Sequence, residues 1–271
     1  MNRLSRAFQC AKERGTPALV PFITAGDPDL VRTEALIHAL AEAGADVIEL
    51  GIPFSDPMAD GPVIQAASER ALANGTTLTA VLETVRKVRS TNNTIPIVLM
   101  GYYNPILAYG RERFAQDAVE AGIDGLLLVD LPPEEAQELR CFSEPLGLPL
   151  ITLIAPTTPR ERRNQLARAA QGYLYYVSMT GVTGTSRIDT NAIRAEVENL
   201  KSLSPVPVAV GFGITTPDDA AAVGAYADGV VIGSALVKLI DLHRQSPTLI
   251  EEVKKFTSAI RAGLNCNNSK L

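Results

Sequence analysis

The residues best placed to do chemistry in this chain are carboxylates gathered around one apolar run. In Asp46-Val47-Ile48-Glu49-Leu50-Gly51-Ile52-Pro53-Phe54-Ser55-Asp56-Pro57-Met58-Ala59-Asp60-Gly61-Pro62, a glutamate sits among Val, Ile and Leu, and two aspartates follow on a segment punctuated by Pro and Gly. Desolvation in such surroundings raises a carboxyl pKa and fits the group to donate and accept a proton near neutral pH. A structural ion pair or a backbone acceptor is the competing explanation of Glu49. Asp60, just ahead of Gly61-Pro62, has the form of a helix N-cap with proline in the first turn. Asp27 and Asp56, each before a proline, have the form of turn residues.

Two further turns could hold an anion. Gly211-Phe212-Gly213 and Gly233-Ser234 each close an apolar run. Glycine lets backbone amides approach a phosphate closely, and a helix N-terminus adds partial positive charge. Either turn alone is weak evidence, and no Walker-type lysine follows, so a small phosphorylated substrate is implied rather than a nucleoside triphosphate. The glycine-punctuated stretch from Ser178 to Ser186 has the length of a lid. Phe22, Tyr102, Leu127, Leu153 and Tyr175 would offer apolar and aromatic surface to a flat part of the substrate. No metal is expected, since His38 and His243 are the only histidines. Cys10, Cys141 and Cys266 are scattered and odd in number, which suits reduced thiols better than a disulfide framework.

Such groups need a scaffold. Short apolar runs at 18–23, 47–50, 97–100, 125–129, 150–154, 174–177, 206–210 and 230–232 recur about 30 residues apart, the size of a βα unit. None alternates cleanly, as expected of parallel strands buried on both faces. Helix-like stretches separate them at 29–43, 62–73, 78–89, 111–121, 134–142, 160–170, 192–203 and 218–223. Eight units without a GxGxxG fingerprint favour a (β/α)8 TIM barrel over an open doubly wound sheet, as a single domain over 1–271. An extra N-terminal helix, with Leu4, Ala7, Phe8 and Ala11 on one face, should plug the barrel bottom. A closing helix over 248–262 should complete the outer ring. Ala-Gly-Ala-Asp ending at Asp46, Ala-Gly-Ile-Asp at Asp124 and Ala-Tyr-Ala-Asp at Asp228 mark equivalent turns into strands and read as structural. A net charge of −5 without a basic run argues against nucleic acid and membrane partners. A start without an apolar leader points to the cytoplasm.

The motifs Pro21-Phe22-Ile23-Thr24-Ala25-Gly26-Asp27-Pro28, Glu49-Leu50-Gly51 through Asp60-Gly61-Pro62, Met100-Gly101-Tyr102-Tyr103-Asn104-Pro105, Gly181-Val182-Thr183-Gly184 and Gly211-Phe212-Gly213-Ile214 closely resemble the tryptophan synthase alpha subunit family. The resemblance runs from the first helix to the last. It implies a lyase of tryptophan biosynthesis that cleaves indole-3-glycerol phosphate to indole and glyceraldehyde 3-phosphate. Glu49 and Asp60 would be catalytic; Phe22, Tyr102, Leu127, Leu153, Tyr175 and Phe212 would enclose the indole, with Thr183 closing the lid. Gly184, Gly213, Gly233 and Ser234 would bind phosphate. It further implies no cofactor in this subunit, and a pyridoxal-phosphate beta subunit as partner in an αββα heterotetramer. Asp56, Pro57, Met58, Asn104 and Pro105 would face that partner. A stand-alone indole-3-glycerol-phosphate lyase and a non-catalytic activating subunit are the alternatives. A phosphate-binding epimerase or thiamine phosphate synthase would want metal-binding histidines or a basic diphosphate site, and neither is present.

Overall fold

A computed structural model of the chain describes residues 1–177, 190–211 and 213–266. Its eight strands are β1 Ala18–Thr24, β2 Ile48–Gly51, β3 Ile97–Gly101, β4 Gly125–Leu128, β5 Ile151–Ile154, β6 Gln171–Val177, β7 Val208–Gly211 and β8 Gly229–Ile232. All pair in parallel, in the order β4-β3-β2-β1-β8-β7-β6-β5. A bridge between Leu126 and Leu150, where the Leu126 N–H donates to the Pro149 carbonyl at 2.9 Å, joins the two end strands and brings the sheet round on itself. This is the expected TIM barrel.

Alternate residues of a strand point to opposite faces. Val20, Val47, Val98, Leu127, Ile151, Tyr173, Tyr175, Ala209 and Val231 fill the barrel interior, while Leu19, Ile48, Leu50, Leu99, Leu126, Val208, Val210 and Val230 turn outward beneath the helices. Burial on both faces is the reason that the strands appear in the sequence as unbroken apolar runs.

The helices are α1 Arg3–Glu13, α2 Leu30–Glu42, α3 Pro62–Ala73, α4 Leu78–Thr91, α5 Tyr103–Tyr109, α6 Arg111–Ala121, α7 Gln137–Ser143, α8 Arg160–Arg168, α9 Thr190–Leu203, α10 Pro217–Gly224, α11 Ser234–His243 and α12 Leu249–Asn265. Helix α1 buries Leu4, Phe8 and Ala11 in the barrel's inner cluster, as its apolar face predicts. Helix α12 packs against α2, α10 and α11 and completes the ring. Helices α5 and α11 add to the sequence-based set. The first N–H of α5, on Tyr103, donates to Asp130 Oδ1 at 2.8 Å, a cap supplied from the loop after the next strand. No described helix is long and apolar enough to cross a membrane.

The three echoed turns are one device used three times. Asp46 Oδ2 accepts the Leu19 N–H at 2.9 Å, Asp124 Oδ2 that of Ile97 at 2.9 Å, and Asp228 Oδ2 that of Val208 at 2.9 Å. Each aspartate's own N–H donates back to the same neighbour's carbonyl. The carboxylate thereby fixes the register of an adjacent strand at the end of the barrel opposite the loops that follow the strands. Gly44 and Gly122 end their helices at φ +99° and +90°, a backbone region that costs glycine little.

Candidate active site

Strand β2 carries Glu49 inward, between Val47 below and Gly51 above, and its Cα pairs in register with Phe22 of β1. The side chain is fully buried. No cation pairs with it among the described residues; Oε1 accepts the Tyr173 hydroxyl at 2.5 Å, and Oε2 has no hydrogen-bond partner. Burial raises the Glu49 carboxyl from 4.5 to about 7, against the opposing effect of the Tyr173 hydrogen bond. Tyr173 is itself fixed from below by the Phe8 ring of α1, 5.5 Å away between centroids. The plug helix therefore supports the residue that holds the glutamate.

Asp60 is not a helix cap. Helix α3 begins at Pro62 with Gly61 as N-cap and makes no side-chain capping bond. The Asp60 carboxylate instead accepts the Tyr102 hydroxyl at 3.0 Å, and that hydroxyl accepts the Ala59 N–H at 3.0 Å. Burial raises the Asp60 pKa, with the Tyr102 bond opposing. Gln65, one turn into α3, donates to the Asp60 carbonyl at 2.9 Å and ties the loop end to the helix. The Phe54 ring packs on Tyr102 at 5.0 Å.

Three of the predicted residues meet at the barrel mouth, and Glu49, fully buried, does not line the cavity there. Phe22, Asp60 and Tyr102 line one cavity at the barrel mouth, with Thr24, Gly51, Ile64, Ser68, Met100 and Val129. Leu153 lines a neighbouring cavity of about 230 Å³ between β4 and β5, and Val129 borders both. Leu127 and Tyr175 lie deeper, in the inner cluster. Burial first, and then the charges of Glu49 and Asp60, hold the Tyr175 phenol well above its usual pKa, which places it within the field of both carboxylates. Two close approaches explain two glycines. A Cβ on Gly51 would lie 2.6 Å from the tip of Phe22, and one on Gly211 would lie 2.3 Å from the Tyr175 hydroxyl.

On the anion side, Gly213 has φ +72°, and Gly233 is the N-cap of α11, whose first residue is Ser234. The first-turn N–H groups of α11 have no intrahelical acceptor and emerge at the end of β8. Gly233 sits against the aromatic floor, since a Cβ there would meet that of Phe22 at 3.8 Å. Thr183, Gly184, Phe212 and the predicted lid lie outside the described residues. Asp56 and Asn104 are exposed, Pro57 and Pro105 half-buried, and Met58 is 84% exposed.

Sequence reasoning missed Tyr173. The run starting at Leu174 stops short of it, because Gln171 and Gly172 hide the true start of β6. Its place two residues before Tyr175, on the same strand face, was the available signal.

Comparison with known proteins decides what this geometry belongs to. Residues 8–265 match the family model described as the tryptophan synthase alpha chain. This chain belongs to the tryptophan synthase alpha chain family. A Geobacter sulfurreducens tryptophan synthase alpha chain is 55% identical over 264 residues, covering 97% of this chain and 99% of that one. A Xanthomonas axonopodis pv. citri relative of the same name is 51% identical over 266 residues, covering 98% and 99%. The crystal structure of tryptophan synthase subunit alpha from Legionella pneumophila superposes with a TM-score of 0.90 at 44% identity, covering 98% of this chain and 99% of that one. Tryptophan synthase alpha chains are lyases that cleave indole-3-glycerol phosphate to indole and glyceraldehyde 3-phosphate and pass the indole to the beta chain, and that is the function of this chain.

Proposed function

We propose that Glu49 and Asp60 carry the cleavage, with Glu49 serving as acid and then as base. The observation that carries this reading is a buried carboxyl whose pKa stands at about 7 and whose Oε2 is unengaged. In its protonated form Glu49 donates to indole C3 and generates an indolenine cation. The bond from C3 to the first glycerol carbon then breaks, its electron pair returning to the ring, while the carboxylate takes the proton from the hydroxyl on that carbon as it becomes the aldehyde. Glu49 ends protonated, ready for the next turnover. Asp60 accepts the indole N–H and stabilises the positive charge that develops there. Gly213, Gly233 and Ser234, with Gly184, hold the phosphate through backbone amides and one hydroxyl. Phe22, Tyr102, Leu127, Leu153, Tyr175 and Phe212 enclose the ring, and Thr183 closes the lid. No step calls on a cofactor of this chain; pyridoxal phosphate belongs to the beta partner. We place the reaction in the cytoplasm.

The direct test incubates the purified chain with indole-3-glycerol phosphate, with and without a beta chain, and follows glyceraldehyde 3-phosphate. Release that rises with the partner is expected; none in either case overturns the reading. Asp60→Asn should lower kcat/KM about 10²-fold, the scale of one lost charge stabiliser. Its thermal midpoint should stay near wild type, because Tyr102 can still donate to the amide oxygen.

For assembly we propose an αββα heterotetramer docked through Asp56, Pro57, Met58, Asn104 and Pro105. Met58 at 84% exposure on the loop after β2 and Leu107 at 49% in α5, after the neighbouring β3, offer apolar anchors. Met58→Asp should weaken beta-chain binding about tenfold or more by calorimetry and leave basal cleavage intact.

A further inference from the structure

Strand β1 turns Phe22 and, two residues on, Thr24 toward the mouth of the barrel. Thr24 is 3% exposed and lines the cavity it shares with Asp60, Tyr102 and Phe22. Its Oγ1 has no hydrogen-bond partner among the described residues. A buried hydroxyl left without a partner destabilises the fold, and valine would fill the same shape without that penalty. The surroundings explain why the oxygen is left over. Thr24 pairs in register with Gly51, which offers no side chain directly opposite it on β2. The Tyr102 hydroxyl, which belongs to the same cavity, is already committed to Asp60 at 3.0 Å.

We infer that Thr24 is a further substrate-binding residue, whose hydroxyl is kept free of protein partners to hydrogen-bond a hydroxyl or N–H of the bound substrate on the Asp60 side of the pocket. This rests on the reading that Glu49 and Asp60 work on indole-3-glycerol phosphate in that pocket. A hydroxyl both donates and accepts, so it complements a neutral polar group of the substrate rather than its phosphate. The stability lost in the empty site is regained when the substrate supplies the partner.

The test compares Thr24→Val and Thr24→Ser with wild type by thermal unfolding and by kcat and KM for indole-3-glycerol phosphate. The valine variant should melt at or above the wild-type temperature while kcat/KM falls about tenfold, the scale of one hydrogen bond. Serine should keep kcat/KM within about twofold. A valine variant with wild-type kcat/KM overturns the inference, as does one that melts several degrees lower, because the hydroxyl would then have a partner inside the protein. Should valine prevent folding, Thr24→Ala against Thr24→Ser decides: higher kcat/KM for serine supports the role, and equal values overturn it. A wild-type enzyme that releases no glyceraldehyde 3-phosphate would refute the assigned chemistry instead, and the melting comparison would still report whether the hydroxyl is unpartnered.

Discussion

Replacing Glu49 by Gln is expected to lower kcat/KM by about 10³–10⁴-fold, near the upper end of what a positioned acid–base group contributes, while the protein stays folded. The amide has nearly the same shape and its oxygen still accepts the Tyr173 hydroxyl, but it can neither give a proton to indole C3 nor take one from the glycerol hydroxyl. Stability should move the other way at high pH. In the native protein Glu49 titrates at about 7, above its ordinary 4.5, so the folded state binds the proton more tightly than the unfolded chain. That contribution is fully present below about pH 4.5 and is lost as the pH rises through about 7. The Gln variant lacks this slope and should be at least as stable as wild type at pH 8. Wild-type kcat/KM should itself fall above about pH 7, as the acid form that begins the reaction is depleted. The decisive pair of measurements is the pH profile and the thermal midpoint at pH 8. A midpoint that drops together with activity would make Glu49 a structural residue.

Glu49 was legible because its anomaly is local: a charge inside an apolar run needs an explanation wherever the chain folds. Asp60 was not, since Asp-Gly-Pro is good capping chemistry and only the tertiary contact with Tyr102 shows that Gly61 caps α3 instead. Strands were legible for the same local reason, with boundary shifts of a residue or two where Gly or Pro interrupts the run. The exception is β6, which starts at Gln171 and so brings Tyr173 into the barrel. Helix α5 has no start signal of its own; its cap is Asp130, 27 residues away. Helix α11 begins directly at the candidate phosphate turn with no side-chain cap, which leaves its amides free for an anion and its start unmarked in the sequence. In both helices the missing local signal reflects a group supplied from elsewhere in the fold, or reserved for a ligand.

The echoed aspartates show the converse, a local pattern whose meaning is structural, and Asp124 is the one whose loss should be felt most. It is 8% exposed, accepts the Ile97 N–H, and pairs with Arg89 and Arg3, each at 2.8 Å. Arg89 is 9% exposed and spends its other donors on the carbonyls of Gly122, Asn92 and Ile95. Desolvation is the dominant influence on both partners, lowering Arg89 to about 10 and raising Asp124, so the pair gains little over two solvated ions. Breaking it is another matter. Asp124→Ala leaves a buried guanidinium without its counter-charge and a strand N–H without its acceptor, and should cost about 3–5 kcal/mol in urea unfolding. Adding Arg89→Met should recover part of that loss, so that the double substitution costs less than the sum of the two single ones. A strictly additive double variant would mean that the lost bond to Ile97, and not the stranded charge, sets the penalty. Turnover per folded molecule should be unchanged in either variant, because this carboxylate works at the end of the barrel opposite the mouth where Asp60 and Tyr102 line a cavity.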